Sequence, residues 1–109
     1  DYFNATGEQP MIGALQGYVA THFLAAAIEE AGTTETEAVA DALEGLTIDT
    51  PTGRTTIRAF DHQADPMIWV GSSAQSEEFP FPILNDLVPV AGSDVILSIA
   101  EVEARRAGK

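Results

Sequence analysis

Thr34-Glu35-Thr36-Glu37-Ala38-Val39-Ala40-Asp41-Ala42-Leu43-Glu44-Gly45 is followed shortly by Pro51-Thr52-Gly53-Arg54-Thr55-Thr56-Ile57-Arg58-Ala59-Phe60, and the succession decides the fold class. In the first stretch the Thr34 hydroxyl can accept the Glu37 amide while the Glu37 carboxylate reaches back, the capping box that opens a helix. Val39, Ala42 and Leu43 then recur at helical spacing, and Glu35, Glu37, Asp41 and Glu44 read as the solvated face. The second stretch opens on a Pro-x-Gly turn and continues through β-branched residues at strand spacing. A helix feeding a strand makes this an α/β chain.

On the N-terminal side, Ala20, Phe23, Leu24, Ala27, Ile28 and Ala31 recur along one face from about Gly13. Gly32 follows as the residue able to close a helix in the left-handed conformation. Leu15, Tyr18, Val19 and Ala26 continue the apolar surface around the rim, so this helix is expected to pack on more than one side. The spacing predicts a helical hairpin over residues 13–45, with Gly32-Thr33 as its connection. On the C-terminal side, a polar loop from Asp61 to Pro66 leads to Met67-Ile68-Trp69-Val70-Gly71, which can pair with the first strand as a β-hairpin over residues 52–74. Phe79-Pro80-Phe81-Pro82 reads as a surface connector. Ser93 can then cap a terminal helix over residues 93–107, with Val95, Ile96, Ile99 and Val102 inward and Arg105, Arg106 and Lys109 near its negative end.

Composition narrows the possible functions. The 109 residues carry 17 acidic and 5 basic side chains, a net charge of -12. Nucleic acid is therefore a poor partner, because phosphate binding needs clustered Lys and Arg. With no cysteine, disulfide frameworks, Cys-ligated zinc and thiol nucleophiles fall away. No apolar run approaches a membrane span, and Asp1-Tyr2-Phe3-Asn4 lacks the grammar of a signal peptide, so a soluble chain is expected, with any export signal removed or lying upstream. A chain this long can hide roughly 60–70% of its unfolded surface, which allows one modest core but not two lobes with a cleft between them.

Little in the chain suggests catalysis. His22 lies mid-helix and reads as a packing residue; His62 sits in a loop between Asp61 and Asp65, and neither has metal-ligand spacing. Trp69, between Ile68 and Val70, reads as a packing or lobe-interface residue rather than a ligand contact. The common nucleophile, nucleotide and zinc-hydrolase motifs are all missing from the sequence. No catalytic residue, metal or cofactor is assigned.

The order of these pieces resembles the last third of the leucine/isoleucine/valine-binding protein family, the type I periplasmic solute-binding proteins of ABC importers. The resemblance is carried by Gly17-Tyr18-Val19-Ala20 opening a helix that runs to Ala31-Gly32, then Glu37 to Leu43, then Asp49-Thr50-Pro51-Thr52-Gly53-Arg54 and Phe60-Asp61-His62-Gln63. It covers about Gly7 to Lys109 and implies an incomplete lobe of that fold: helical hairpin, β-hairpin and C-terminal helix. Full members have two α/β lobes on a three-strand hinge, close on a small solute (an amino acid, an amide or an aromatic acid) and present it to an ABC permease. Residues 1–109 would then be a C-terminal portion of a periplasmic receptor, with the loop of Met11, Ile12 and Gly13 as its one stretch able to line the cleft. Such a portion is expected to bind solute weakly or not at all and, with apolar faces uncovered, to form a homo-oligomer. The alternative is a sensor or regulatory ligand-binding domain of the same architecture; an enzyme would need a clustered acid/base pair, and none is evident.

Overall fold

The structure, a computed structural model, describes residues 2–108. Helix α1 (Tyr2–Thr6) precedes the long α2 (Ile12–Ala31), which runs 20 residues without a proline. Helix α2 ends where the sequence places its end: Gly32 sits at φ 65° and donates its amide to the Ile28 carbonyl at 2.9 Å. Only a residue without a Cβ takes that conformation cheaply. Helix α3 (Thr36–Leu43) folds back along α2, and the core between them is small: Phe23 and Ala27 of α2 and Val39 of α3 are its buried apolar residues.

The start of α3 corrects the sequence reading. Its N-cap is Glu35 and makes no side-chain capping bond, so the Thr34–Glu37 box does not form. The hydroxyl that acts here is Thr33's, which accepts the Glu35 amide at 3.2 Å and turns the connection one residue later than expected. Glu35, Glu37, Asp41 and Glu44 are all exposed.

Strand pairing also differs from expectation. Strand β1 (Thr47–Thr50) turns through Pro51-Thr52 into β2 (Gly53–Thr56), with Thr47 opposite Thr56 and Thr50 opposite Gly53. The partner of β2 is thus the segment before the Pro-Thr-Gly turn. Threonines hold this hairpin: the Thr47 and Thr56 hydroxyls lie 2.8 Å apart, and the Thr50 hydroxyl donates to the Gly53 carbonyl at 2.7 Å. Beyond β2, the expected hairpin over 52–74 is reduced to one isolated bridge, Ile57 to Ala64. The Thr56 amide donates to the Asp65 carboxylate at 2.6 Å and the Asp65 amide to the Thr56 carbonyl at 2.9 Å. Pro66 then offers no amide to continue the ladder.

Strand β3 (Ile68–Ala74) therefore pairs elsewhere, with β4 (Ile83–Val90), in a second antiparallel sheet. The sequence assigns no strand between the Phe79–Pro82 connector and the terminal helix expected from Ser93. Proline is tolerated there because each strand of a two-stranded sheet is an edge. The Phe79–Pro82 connector between them is a packing unit as well, since Phe79 and Phe81 stack at 5.3 Å and both meet the edge of Phe3 of α1, at 5.8 and 5.5 Å.

The last helix is shorter than the expected 93–107. A single 3₁₀ turn occupies Gly92–Asp94, and α4 spans Ile99–Ala107. Its cap is Ser98, not Ser93: the Ser98 hydroxyl accepts the Glu101 amide at 3.3 Å, and the Glu101 carboxylate accepts the Ser98 amide at 2.8 Å. Ser98 holds the Glu101 carboxyl below its usual range, first through the hydroxyl bond and then through its amide. Of the four residues expected inward, Val95 and Ile99 are about half exposed.

These parts do not close into a sphere. The radius of gyration is 17.1 Å, against about 13 Å for a compact domain of this length. The accessible surface, 7907 Å², is about 2,100 Å² larger than the roughly 5,800 Å² of a compact monomer of the same mass. Much apolar surface stays bare, including a groove of about 320 Å³ between α2 and α3 lined by Leu24, Ile28, Val39 and Leu43.

Candidate functional site

The first turn of α2 is the candidate cleft-lining stretch. Met11 is its N-cap, extended at φ -85° and ψ 160° with no side chain capping the helix, and Met11 and Ile12 are 74% and 72% exposed. Gly13 is exposed beside them. The Met11 carbonyl accepts the Ala14 amide at 2.9 Å, which sets the turn. All three side-chain positions face away from the core, on a terminus whose first amides have no helical acceptor.

Their neighbours line a groove of about 350 Å³ formed by Tyr2, Pro10, Ala14, Leu15, Tyr18 and Pro51. Three elements build it: α1 supplies Tyr2, one rim of α2 supplies Ala14, Leu15 and Tyr18, and the β1–β2 turn supplies Pro51. Among the described residues no charged side chain is in that lining, and the tyrosine hydroxyls are its polar side-chain groups. It suits an apolar or aromatic group of a small molecule, with any charge held elsewhere. Met11, Ile12 and Gly13 are not in the lining. The spacing of Leu15 and Tyr18, one helical turn apart on the rim that continues the apolar surface, was the available signal for the groove; the approach of Tyr2 and Pro51 is long-range and left no local mark.

The Asp61-His62-Gln63 corner disperses its polar groups. Arg58 grips the Asp61 carboxylate with two nitrogens, donating from Nε to Oδ1 at 3.0 Å and from Nη2 to Oδ2, while Nη1 donates to the Leu97 carbonyl at 2.8 Å. The hydrogen bond from Arg58 holds the Asp61 carboxyl below its usual range, helped by the Gln63 amide, and the same bond raises the guanidinium. His62, at φ 58°, turns its Nε2 to Glu44 at 2.9 Å. Asp65 is engaged with the Thr56 amide. Asp61, His62 and Asp65 thus point to three different partners, and among the described residues no group of three His, Cys, Asp or Glu side chains converges on a metal-sized site.

His22 differs from its expected packing role: it is exposed and lies against Tyr18, ring centroids 4.2 Å apart. Trp69 donates its indole N–H to the Thr52 carbonyl at 2.8 Å and remains 40% exposed, tying β3 to the β1–β2 turn. None of the described helices is long and apolar enough to cross a membrane.

Comparison with known proteins bears on these elements. The family described as periplasmic binding protein matches residues 1–77. The structure is similar to that of an ABC-type branched-chain amino acid transporter from Rhodopseudomonas palustris CGA009, with a TM-score of 0.75 and 22% identity over 90% of this chain and 26% of that one. It is also similar to an ABC transporter from Rhodopseudomonas palustris, with a TM-score of 0.56 and 28% identity over 65% of this chain and 22% of the other. The chain therefore spans about a quarter of the length of these solved structures. No curated protein matches it.

Proposed function

We propose that this chain, which belongs to the periplasmic binding protein family, builds part of one lobe of a two-lobed extracytoplasmic receptor that hands an amino acid or related small solute to the permease of an ABC importer. The observation that carries this reading is the family match across residues 1–77, which takes in α1, α2, α3, the β1–β2 hairpin and β3. The family is one of solute-binding proteins, and the side chains here fit binding rather than catalysis, since the Asp61, His62 and Asp65 groups are each tied to a separate partner.

In such a receptor the solute favours the closed state by touching both lobes at once, and its differential affinity for that state is all that drives closure. Met11, Ile12 and Gly13 would contribute from one side only. The apolar groove beside them, with its two tyrosines, suits the hydrocarbon part of a branched-chain or aromatic solute, while the charged groups of the solute are left to the remainder of the receptor.

The coding sequence upstream of Asp1 tests this reading. A secretion signal followed by an alternating parallel βαβ series is the expected result. A membrane helix leading into a signalling module would instead assign these residues to a sensor domain.

A further inference from the structure

We propose that Trp69, with the β3–β4 hairpin that carries it, sets the width of the groove lined by Tyr2, Tyr18 and Pro51, and thereby makes it select an aromatic over a short aliphatic group. The inference rests on the reading of that groove as the seat of the solute's hydrocarbon part. Tyr2 of α1 and Pro51 of the β1–β2 turn are the lining residues remote from α2, so their places decide how far the groove opens from the Ala14, Leu15 and Tyr18 rim.

Both are tied to one hairpin, at its opposite ends. At the open end the Trp69 indole N–H donates to the Thr52 carbonyl at 2.8 Å, one residue from Pro51. The backbone is close-packed beside this bond, since a Cβ built on Gly53 would lie 3.4 Å from the Cβ of Met67. At the closed end Phe79 and Phe81 stand 5.8 and 5.5 Å from Phe3, the neighbour of Tyr2. Trp69, Phe79 and Phe81 are outside the lining and act on it through Thr52 and Phe3.

Shape and place of the turn have different causes. The Thr50 hydroxyl donates to the Gly53 carbonyl at 2.7 Å and lies 3.0 Å from the Thr52 hydroxyl, so contacts local to the turn hold its shape. They do not fix where it stands. Beyond the packing of β1 against α2, the Trp69 bond is, among the described residues, the side-chain hydrogen bond that reaches the turn from another element. A flat ring spanning the groove touches both outer walls and gains from having them held before it binds, whereas a short aliphatic group resting on the α2 rim does not.

Nuclear magnetic resonance titration of the 109-residue chain with p-cresol and with isobutyramide, followed at Leu15 and Tyr18, tests the proposal. Both are expected to bind in the millimolar range, p-cresol the more tightly. Trp69→Phe keeps a ring and removes the donor; it is expected to speed Gly53 amide exchange and weaken p-cresol about two- to tenfold, the worth of one net hydrogen bond, with isobutyramide unchanged. Phe79→Leu, which loosens the Tyr2 wall, should weaken p-cresol and leave Gly53 exchange alone. Unchanged exchange over α2 and α3 verifies that each variant is folded, and if Trp69→Phe is not, Phe79→Leu decides. Equal weakening of both compounds, or p-cresol affinity unmoved by either variant, would overturn the proposal. Unchanged Gly53 exchange in a folded Trp69→Phe would overturn it whether or not either compound binds. If neither compound shifts Tyr18 in the unaltered chain, the reading of the groove as a solute seat fails, and the selectivity with it.

Discussion

Phe23→Ala is expected to leave the chain largely unfolded in buffer. Phe23 is 4% exposed and is the largest side chain in a core it shares with Ala27 and Val39. Truncating a buried phenylalanine costs about 3–5 kcal/mol, part lost transfer energy and part cavity. A domain of this size is stable by about 5 kcal/mol at the low end of the ordinary range, and an expanded chain with this much bare surface belongs at that end. Leu24 is the internal comparison: it is half exposed, so Leu24→Ala is expected to cost well under half as much. Urea unfolding followed at the helical circular dichroism band checks both. Equal midpoints for the two variants would show that the α2–α3 contact is not what stabilises the fold.

Arg58→Ala is expected to release the C-terminal segment while leaving the α2–α3 hairpin folded. The guanidinium makes the bidentate pair with Asp61 and also donates to the Leu97 carbonyl, so one side chain joins the corner after β2 to the residues just before α4. The two side chains are 17% and 3% exposed, and removing one partner leaves the other enclosed without its counter-charge. The other contacts of the segment include that of Gly92 with the Asp65–Pro66 backbone and the Arg106 guanidinium 4.9 Å from the Phe60 ring centre. A nine-residue helix on its own is not stable in water. Amide exchange across residues 99–107 should therefore approach the rate of an unstructured peptide, and Arg58→Lys should not rescue it, because an ammonium cannot reproduce the planar fork.

Acid should produce the same release. The Asp61 carboxyl lies below its ordinary value of 3.8 in the folded chain, so its stabilising contribution is fully present above that value and is lost as pH falls through the lower folded one. Glu101 is held down as well and adds a loss in the same direction at the Ser98 cap. Residues 99–107 are thus expected to lose exchange protection on acidification before α2 does.

What could be read from the sequence follows from how local each signal is. The end of α2 at Gly32 needed only one residue with φ freedom, and the helical hairpin only its apolar spacing, so both were visible. The strand partners were not. Thr47 to Thr50 lies immediately before a turn that had been read only forwards, and its pairing rests on threonine hydroxyls meeting across the hairpin. Ile83 to Val90 holds two apolar clusters broken by Asn85-Asp86 and ends near a proline, a pattern that period-two reading rejects because the bulge at Asp86 shifts the alternation. The capping boxes show the same limit: Thr34-x-x-Glu37 and Ser98-x-x-Glu101 are equally good in sequence, yet only the second forms, because the Thr33 hydroxyl takes the connection first. At the candidate site, Met11, Ile12 and Gly13 came from resemblance, whereas the groove beside them depends on Tyr2 and Pro51 meeting α2 from distant parts of the chain.

The central claim is that these residues build part of one lobe and that solute binding belongs to the two-lobed molecule. Isothermal titration calorimetry of the 109-residue chain with leucine, isoleucine, valine and a set of aromatic acids tests it most directly. The expected result is no micromolar binding, because contacts from one side of a cleft supply none of the differential energy of closure. A Kd in the micromolar range or tighter for any of these solutes would contradict the account and place a complete binding site within this chain.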